Sequence, residues 1–446
     1  MTASTASPLI RPSLLSLALL AALAGHAPVA LAETDPGDAT TLDTVKVTAE
    51  GDIPTSYTVK QARTATKLDL SLRHTPQSVT VVTRQRLDDM GLFALSDVMS
   101  QVTGVHVSVT DSERISYISR GYAINNFQID GMLNTFGGSL KTNTDSAIYE
   151  RIEVVRGATG LTTGAGDPSG TINMVRKRPT DTMAMSAGIT LGRWGNQRLE
   201  ADIGGPVALD GRVRARFVAA KQQSDSFRDI YKLDKDVFYG IVQADLSDST
   251  LFEVGYDYQS PKTTGVTWGV VPYWGADGTP ANLPRSTNLS AEWSSWPIVE
   301  KTTFARLEQQ LGNGWAIKAA ATQAKRDTDG SVWYGAAGYP RPDGTGVTAY
   351  TSHFAERSEM KVFDLNVSGP FRLFGQEHEL VAGIGQSVRD SGLPGIEIPD
   401  YPVSYAQRPE LEPGPEAAWR EISRALGYLL AASLCAYTLM NIGPVL

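Results

Sequence analysis

One cysteine, Cys435, is all that the 446 residues contain, which excludes a disulfide framework and any cysteine-built metal centre. Histidine is nearly as scarce. His26, His74, His106, His353 and His378 never fall at metal-ligand spacing, so neither a zinc nor a haem site is supported. Charge is sparse as well: Asp, Glu, Lys and Arg make up 20% of the chain, with a formal net charge of −8. The Lys and Arg residues are scattered, so no basic face for nucleic acid emerges. Between Glu33 and Arg424 no apolar run approaches the ~20 residues of a membrane helix. No nucleophile–base pair, carboxylate dyad or metal cluster stands out, and an enzyme is not expected.

What the chain has in quantity is glycine, with 42 residues, and 16 Tyr with 8 Trp, a mixture that suits a β protein better than a helical enzyme. Arg11 is the only charge before Glu33, LLSLALLAALAG (14–25) has the length of a signal h-region, and ALA (30–32) offers a small-residue cleavage site. Residues 1–32 are therefore expected to be a signal peptide, with a mature start near Glu33. An exported chain without a membrane helix is periplasmic, secreted or an outer-membrane barrel.

Residues 33–66 are polar and bury too little to offset chain entropy, so a mobile segment is expected. Within it Val45-Lys46-Val47-Thr48 alternates with period 2 and can add as a strand to a partner's sheet edge. Residues 67–179 intermix helix and strand patterns. SVTVVT (78–83) reads as a strand, RQRLDDMG as a short helix closing on Gly91, and ALSDVMSQVTGV (94–105) as a helix stopped by Gly104. ISYISRGY, NNFQIDGM and YERIEVVRG are strand runs, with Asp130-Gly131 as a tight turn. From 180 to 390 the texture changes to successive runs of about 9 to 11 residues, alternating polar with apolar, which is the pattern of a transmembrane β-barrel. SDST (247–250) and GNG (312–314) read as short turns, and 260–300 as a long loop.

Gly157, Gly160, Gly164, Gly166 and Gly170 crowd the stretch RGATGLTTGAGDPSG. It lacks the spacing of a dinucleotide loop and no Gly-Lys-Ser/Thr follows, so phosphate binding is not expected. Backbone turning tightly in a confined space is the better reading. Arg176, Lys177 and Arg178 read as a solvated or lumen-facing hinge, and Arg120 and Arg156 as residues able to pair with barrel-wall carboxylates.

The segments LRHTPQSVTVVTRQRLDDMG, LSDVMSQVTGV, ISRGYAINNFQIDGM and YERIEVVRGATGLTTGAGDPSGTINMVRKRP, with DTVKVTAE ahead of them, resemble the TonB-dependent outer-membrane siderophore receptors. The resemblance covers about residues 41–390. It implies an α+β plug domain (67–179) followed by an antiparallel transmembrane β-barrel (180–390). It also implies an outer-membrane location in a Gram-negative bacterium. The implied function is import of a ferric siderophore, of hydroxamate type by family similarity, driven by TonB and its inner-membrane energising proteins. Outer-membrane lipid is a further partner. No cofactor is implied; iron is held by the siderophore and not directly by the protein. The coupling box falls on Asp43, Thr44, Val45, Lys46, Val47, Thr48 and Ala49. Candidate ligand contacts are Arg114, Tyr117, Tyr122, Phe127 and Phe136 in the plug, with Trp268, Tyr273 and Trp274 in the long loop and Trp293 and Trp296 at its far end. With about ten residues between cleavage site and box, transport without a signalling arm is expected.

About nine strands are legible to Asp390, where the family's barrels use 22. Residues 391–446 read as an atypical tail: a Pro-rich stretch, then the uncharged ALGYLLAASLCAYTLMNIGPVL. Frame disruption or fusion to a helical anchor would account for it. Rival readings are a receptor for another cargo such as cobalamin, haem or a glycan, a non-functional truncated receptor, and a non-transporting surface protein.

Overall fold

The computed structural model describes residues 56–392 and 435–440, apart from positions 63, 69, 135–143, 159–167, 270 and 343–344. The leader, the box Asp43–Ala49, Phe136 and most of the tail lie outside the described residues. Plug and wall belong to one compact unit spanning 52–446.

The N-terminal part begins with a small antiparallel pair, β1 (Gln61–Ala62) and β2 (Leu70–Ser71). β3 (Ser78–Thr83) runs into a helix, Arg84–Asp89, whose first turn is capped by the Thr83 hydroxyl accepting from Arg86 N at 3.4 Å. A second helix, Leu95–Ser100, is shorter than the 94–105 pattern predicts. The Asp97 carboxylate accepts from Ala94 N at 3.1 Å and starts it. Leu95, Val98 and Met99 face the core.

β4 (His106–Val109), β5 (Ile115–Ser119) and β6 (Tyr122–Ala123) make a three-stranded sheet. β7 (Asn126–Ile129) and β8 (Met132–Asn134) form a hairpin on Asp130 and Gly131, both left-handed with φ of 52° and 79°. That is the two-residue turn the Asp-Gly dipeptide predicts. β9 (Tyr149–Arg156) and β10 (Gly170–Arg176) complete a five-stranded sheet in the order β3-β9-β10-β7-β8, with β10 and β7 parallel. All seven residues of β10 are buried. At Gly170 a Cβ would sit 2.4 Å from the Val155 carbonyl oxygen, so the glycine permits two backbones to pass closely. This answers the glycine cluster at the one end of it that lies in a strand.

From Ala184 the chain builds one antiparallel meander: β11 (Ala184–Leu191), β12 (Gln197–Ala208), β13 (Val213–Asp225), β14 (Lys232–Ser247), β15 (Thr250–Thr264), β16 (Ile298–Gln310), β17 (Ala316–Gly338), β18 (Val347–Leu373) and β19 (Gln376–Gly392). These nine strands to Gly392 match the number legible in the sequence. Their length does not match. The pattern predicts 9 to 11 residues, whereas β17 has 23 and β18 has 27. At ~3.3 Å per residue such strands project well past a bilayer. β20 (Cys435–Met440) pairs antiparallel with β19, so this part of the uncharged tail is strand and not helix. Among the described residues β11 and β20 each pair on one side only.

The sheet's faces are inverted relative to a soluble protein. Outward-facing Leu199, Ile203, Phe217, Phe238, Val242, Val254 and Leu307 are exposed, while Arg198, Asp202, Lys235, Gln243, Glu253, Asp257 and Gln259 are buried on the opposite face. Alternation with apolar groups outside and polar groups inside is the membrane-barrel arrangement. The buried face closes on the plug. Val218, Val237, Tyr239, Ile241 and Phe304 from the wall join one apolar cluster with Leu87, Val98, Ile152, Ile172 and Met174 from the plug.

Candidate functional site

Connections at one end of the meander are short turns (248–249 and 374–375), and those at the other include the long loop 265–297. In outer-membrane barrels the long loops are external. The plug turn at 110–114 meets this loop-bearing end. Asp111 shapes it: Oδ1 accepts from Glu113 N at 3.0 Å and Arg114 N at 2.7 Å, and Oδ2 accepts from Arg114 Nε at 2.6 Å. The Arg114 guanidinium, thus pinned, lies 5.2 Å from the ring centroid of Trp268 and 5.8 Å from that of Trp296, both within cation–π range. Trp268 is in turn edge-on to Phe354 at 4.4 Å. Trp296 is 7% exposed and its indole Nε1–H, fully buried, has no hydrogen-bond partner among the described residues, a state in which a buried donor invites an acceptor.

Two hydrogen-bonded seams hold the turn to the wall. Ser112 Oγ donates to Thr267 O at 3.2 Å and accepts from Thr267 N at 2.9 Å. Tyr231 donates its hydroxyl to Glu113 Oε1 at 3.0 Å. Burial pushes the Glu113 carboxyl up to about 7, against the Tyr231 hydrogen bond and the Arg228 charge, which favour its ionised form.

Deeper, the plug is clamped by buried charge. Arg198 of β12 donates twice to Asp145, Nη1 to Oδ2 and Nη2 to Oδ1, each at 2.9 Å. Lys235 of β14 reaches Asp145 Oδ2 at 2.6 Å, and none of the three side chains exceeds 1% exposure. Burial alone would raise the Asp145 carboxyl, but Lys235 and Arg198 outweigh it and hold it well below the usual carboxylate range. Gln259 of β15 accepts from Asp145 N at 2.8 Å.

A second group follows β10, where Arg176 meets Asp130 at 3.0 Å and Asp257 at 2.9 Å. Lys177 meets Asp202 at 2.8 Å and Arg178 meets Glu253 at 3.2 Å. The run 176–178 thus pairs with the wall through Asp257, Asp202 and Glu253, and with Asp130 within the plug, which is the lumen-facing alternative and not the solvated one. Arg156 instead bonds Ser78, Thr80 and Thr103 within the plug, and Arg120 lies exposed with its guanidinium over Gly157. The wall pairing expected of these two is made by the other arginines.

Of the residues predicted to touch ligand, Arg114 and Trp268 come together, joined by Trp296. Tyr122 is exposed on β6, and Tyr273 and Trp274 are exposed and stack edge-to-face at 5.0 Å in the long loop. Trp293 is exposed. Tyr117 and Phe127 are corrections: each is 1% exposed, and the two pack at 6.2 Å in the plug core, so an external chelate cannot reach them. Their strands turn these aromatics inward, on the same side as buried Ser119 and Ile129. The sequence reading missed Glu113, Phe354 and the Asp145 clamp. Only the charged residues recurring every second position, as in Arg198-Glu200-Asp202, pointed to a polar inner wall. Among the described residues no three His, Cys, Asp or Glu side chains converge to hold a metal.

Residues 71–171 match the family model described as the TonB-dependent Receptor Plug Domain. The chain is 40% identical over 359 residues to a ferric-pyoverdine 358 receptor of Pseudomonas putida, covering 78% of this chain and 43% of that one. It is 41% identical over 337 residues to the ferripyoverdine receptor of Pseudomonas aeruginosa, covering 74% and 41% respectively. The crystal structure of the Pseudomonas aeruginosa outer-membrane ferripyoverdine receptor bound to ferripyoverdine superposes with a TM-score of 0.72. That match has 39% identity and covers 75% of this chain and 45% of that one. The chain thus spans less than half the length of these relatives, each of which is a receptor and not an enzyme. Plug, inverted wall and charged interface agree with that likeness: residues 71–171 are a TonB-dependent receptor plug domain, and the chain is similar over most of its length to outer-membrane ferric-pyoverdine receptors.

Proposed function

We propose that the protein imports a ferric siderophore across the outer membrane, energised by TonB pulling on the box Asp43–Ala49. The observation that carries this reading is the outer mouth. A guanidinium held between two tryptophans, beside a buried indole donor without an acceptor, suits a flat chelate rich in oxygen acceptors. The names of the most similar curated relatives favour a ferric pyoverdine as the chelate, in place of the hydroxamate type expected from the sequence. Iron in this scheme is cargo held by the chelator, with Arg114, Trp268 and Trp296 contacting its organic shell. Tyr122, Tyr273 and Trp274 are proposed as outer contacts. Segment roles follow the same reading: signal peptide 1–32, coupling segment 33–66, plug 67–179 and wall from 180.

Uptake of radioactive iron as ferric pyoverdine, by a TonB-positive host lacking its own pyoverdine receptors, tests this. Expression of the protein is expected to confer uptake, and deletion of 43–49 to abolish uptake while binding persists. Uptake that survives the deletion removes the TonB-driven step, and absence of binding removes the cargo.

A further inference from the structure

The turn that presents Arg114 also carries a second, buried carboxylic acid. The guanidinium itself meets the Asp111 carboxylate. Glu113 points away to the wall, is 2% exposed, and meets the Tyr231 hydroxyl at 3.0 Å. Arg228, from the same connection 226–231, lies over the Tyr231 ring at 4.9 Å. On its own turn Glu113 feels the Asp111 carboxylate, which in turn binds the Arg114 side chain. The loop 265–297 meets the turn through Thr267 against Ser112 and through Trp268 and Trp296 beside Arg114, all three uncharged.

We propose that Glu113 is a positioning residue for cargo: its carboxyl, seated on Tyr231, sets the placement and local potential of Arg114 between Trp268 and Trp296, so its ionisation tunes how tightly a ferric chelate is held. This rests on the ferric-siderophore reading of the mouth. The physical chain is short. A neutral Glu113 leaves the Asp111–Arg114 pair undisturbed, and the guanidinium offers its remaining positive potential to the chelate's oxygens. An ionised Glu113 adds a second buried negative charge beside Asp111. It is repelled by that carboxylate, is drawn toward Arg228, and lowers the potential at Arg114. Burial places this change of state near neutral pH, where both forms are populated. Binding of an oxygen-rich chelate therefore favours the protonated form, and by linkage affinity falls as pH rises.

The test has two readouts on the whole protein in detergent. First, tryptophan emission of the ligand-free protein is followed from pH 5.5 to 8.5. A transition is expected in the wild type, since Trp268 and Trp296 flank Arg114. It should be absent in Glu113→Gln and shifted to higher pH in Tyr231→Phe, which removes the hydrogen bond favouring ionisation. Second, ferric pyoverdine affinity is measured at pH 6 and pH 8. The wild type is expected to lose roughly fivefold, the low end of site-to-site coupling, while Glu113→Gln binds equally at both values. A Glu113→Gln protein that keeps the transition and the pH ratio overturns the proposal. If that variant does not fold, an unshifted transition in Tyr231→Phe overturns it instead. Absence of ferric pyoverdine binding by the wild type at either pH overturns the cargo reading as well, and so separates the two failures.

Discussion

Asp145 of the plug and Arg198 of the wall form a two-pronged ion pair, 2.9 Å on each side, with both side chains sealed from solvent and Lys235 closing on the same carboxylate. The pair is one of the points at which the plug is fixed by charge rather than by apolar contact. Two cations facing one buried carboxylate tolerate its loss poorly.

Asp145→Ala leaves Arg198 and Lys235 buried without their counter-charge and is expected to cost ~3–5 kcal/mol. Thermal unfolding and protease sensitivity of the plug report the loss. The pH sign follows from the depressed native carboxyl. Its stabilisation is full above the unfolded value of ~4 and fades as pH falls below that toward the native value. Unfolding temperature should therefore drop on acidification below about pH 4, and less steeply in Asp145→Asn.

Arg176 and Arg178 look equivalent in sequence but are not equivalent in place. Arg176 has 3% of its side chain exposed and two carboxylate partners, while Arg178 is 33% exposed with one among the described residues. Arg176→Ala should cost ~3–5 kcal/mol and Arg178→Ala ~1 kcal/mol. A double-mutant cycle of Arg176→Ala with Asp257→Ala should give a coupling of ~1–3 kcal/mol. Equal effects of the two arginine changes contradict the assignment.

Such pairs show where the sequence stops being legible. Local chemistry was readable: Asp130-Gly131 demands left-handed φ at both residues, and period-2 runs made nine wall strands countable. Which partner an inward charge meets was not, because Asp145 of the plug and Lys235 of β14 come together only in the folded packing of plug against wall. Tyr117 and Phe127 failed for a related reason. An aromatic near a turn reads as surface, while strand register decides which face it joins. The mouth was half legible, since Trp268 stands out in the long loop but the Asp111 turn that fixes Arg114 has no sequence signature of its own.

Gly170→Ala places a methyl 2.4 Å from the Val155 carbonyl oxygen and should destabilise by ~2 kcal/mol or more. Gly121, with nothing within 4 Å of the position a Cβ would take and φ of 85°, is the control. Its Ala variant meets only the left-handed backbone penalty of ~1 kcal/mol. Chemical denaturation in detergent distinguishes the two.

Phe238 faces outward beside Tyr239, which faces the plug. Phe238→Arg puts a charge on the lipid side and should cost ~2–4 kcal/mol near the bilayer midplane. Folding efficiency into lipid vesicles measures it, and a neutral effect would mean this face does not meet lipid.

Equilibrium binding of ferric pyoverdine to the folded protein, in wild type and in Trp268→Ala and Arg114→Ala, bears most directly on the central claim that cargo docks at the outer mouth. The account predicts saturable binding by the wild type, weakened at least ~10-fold in either variant, as loss of an aromatic or arginine anchor of ~1.4 kcal/mol or more requires. Wild-type affinity retained in both variants would contradict it.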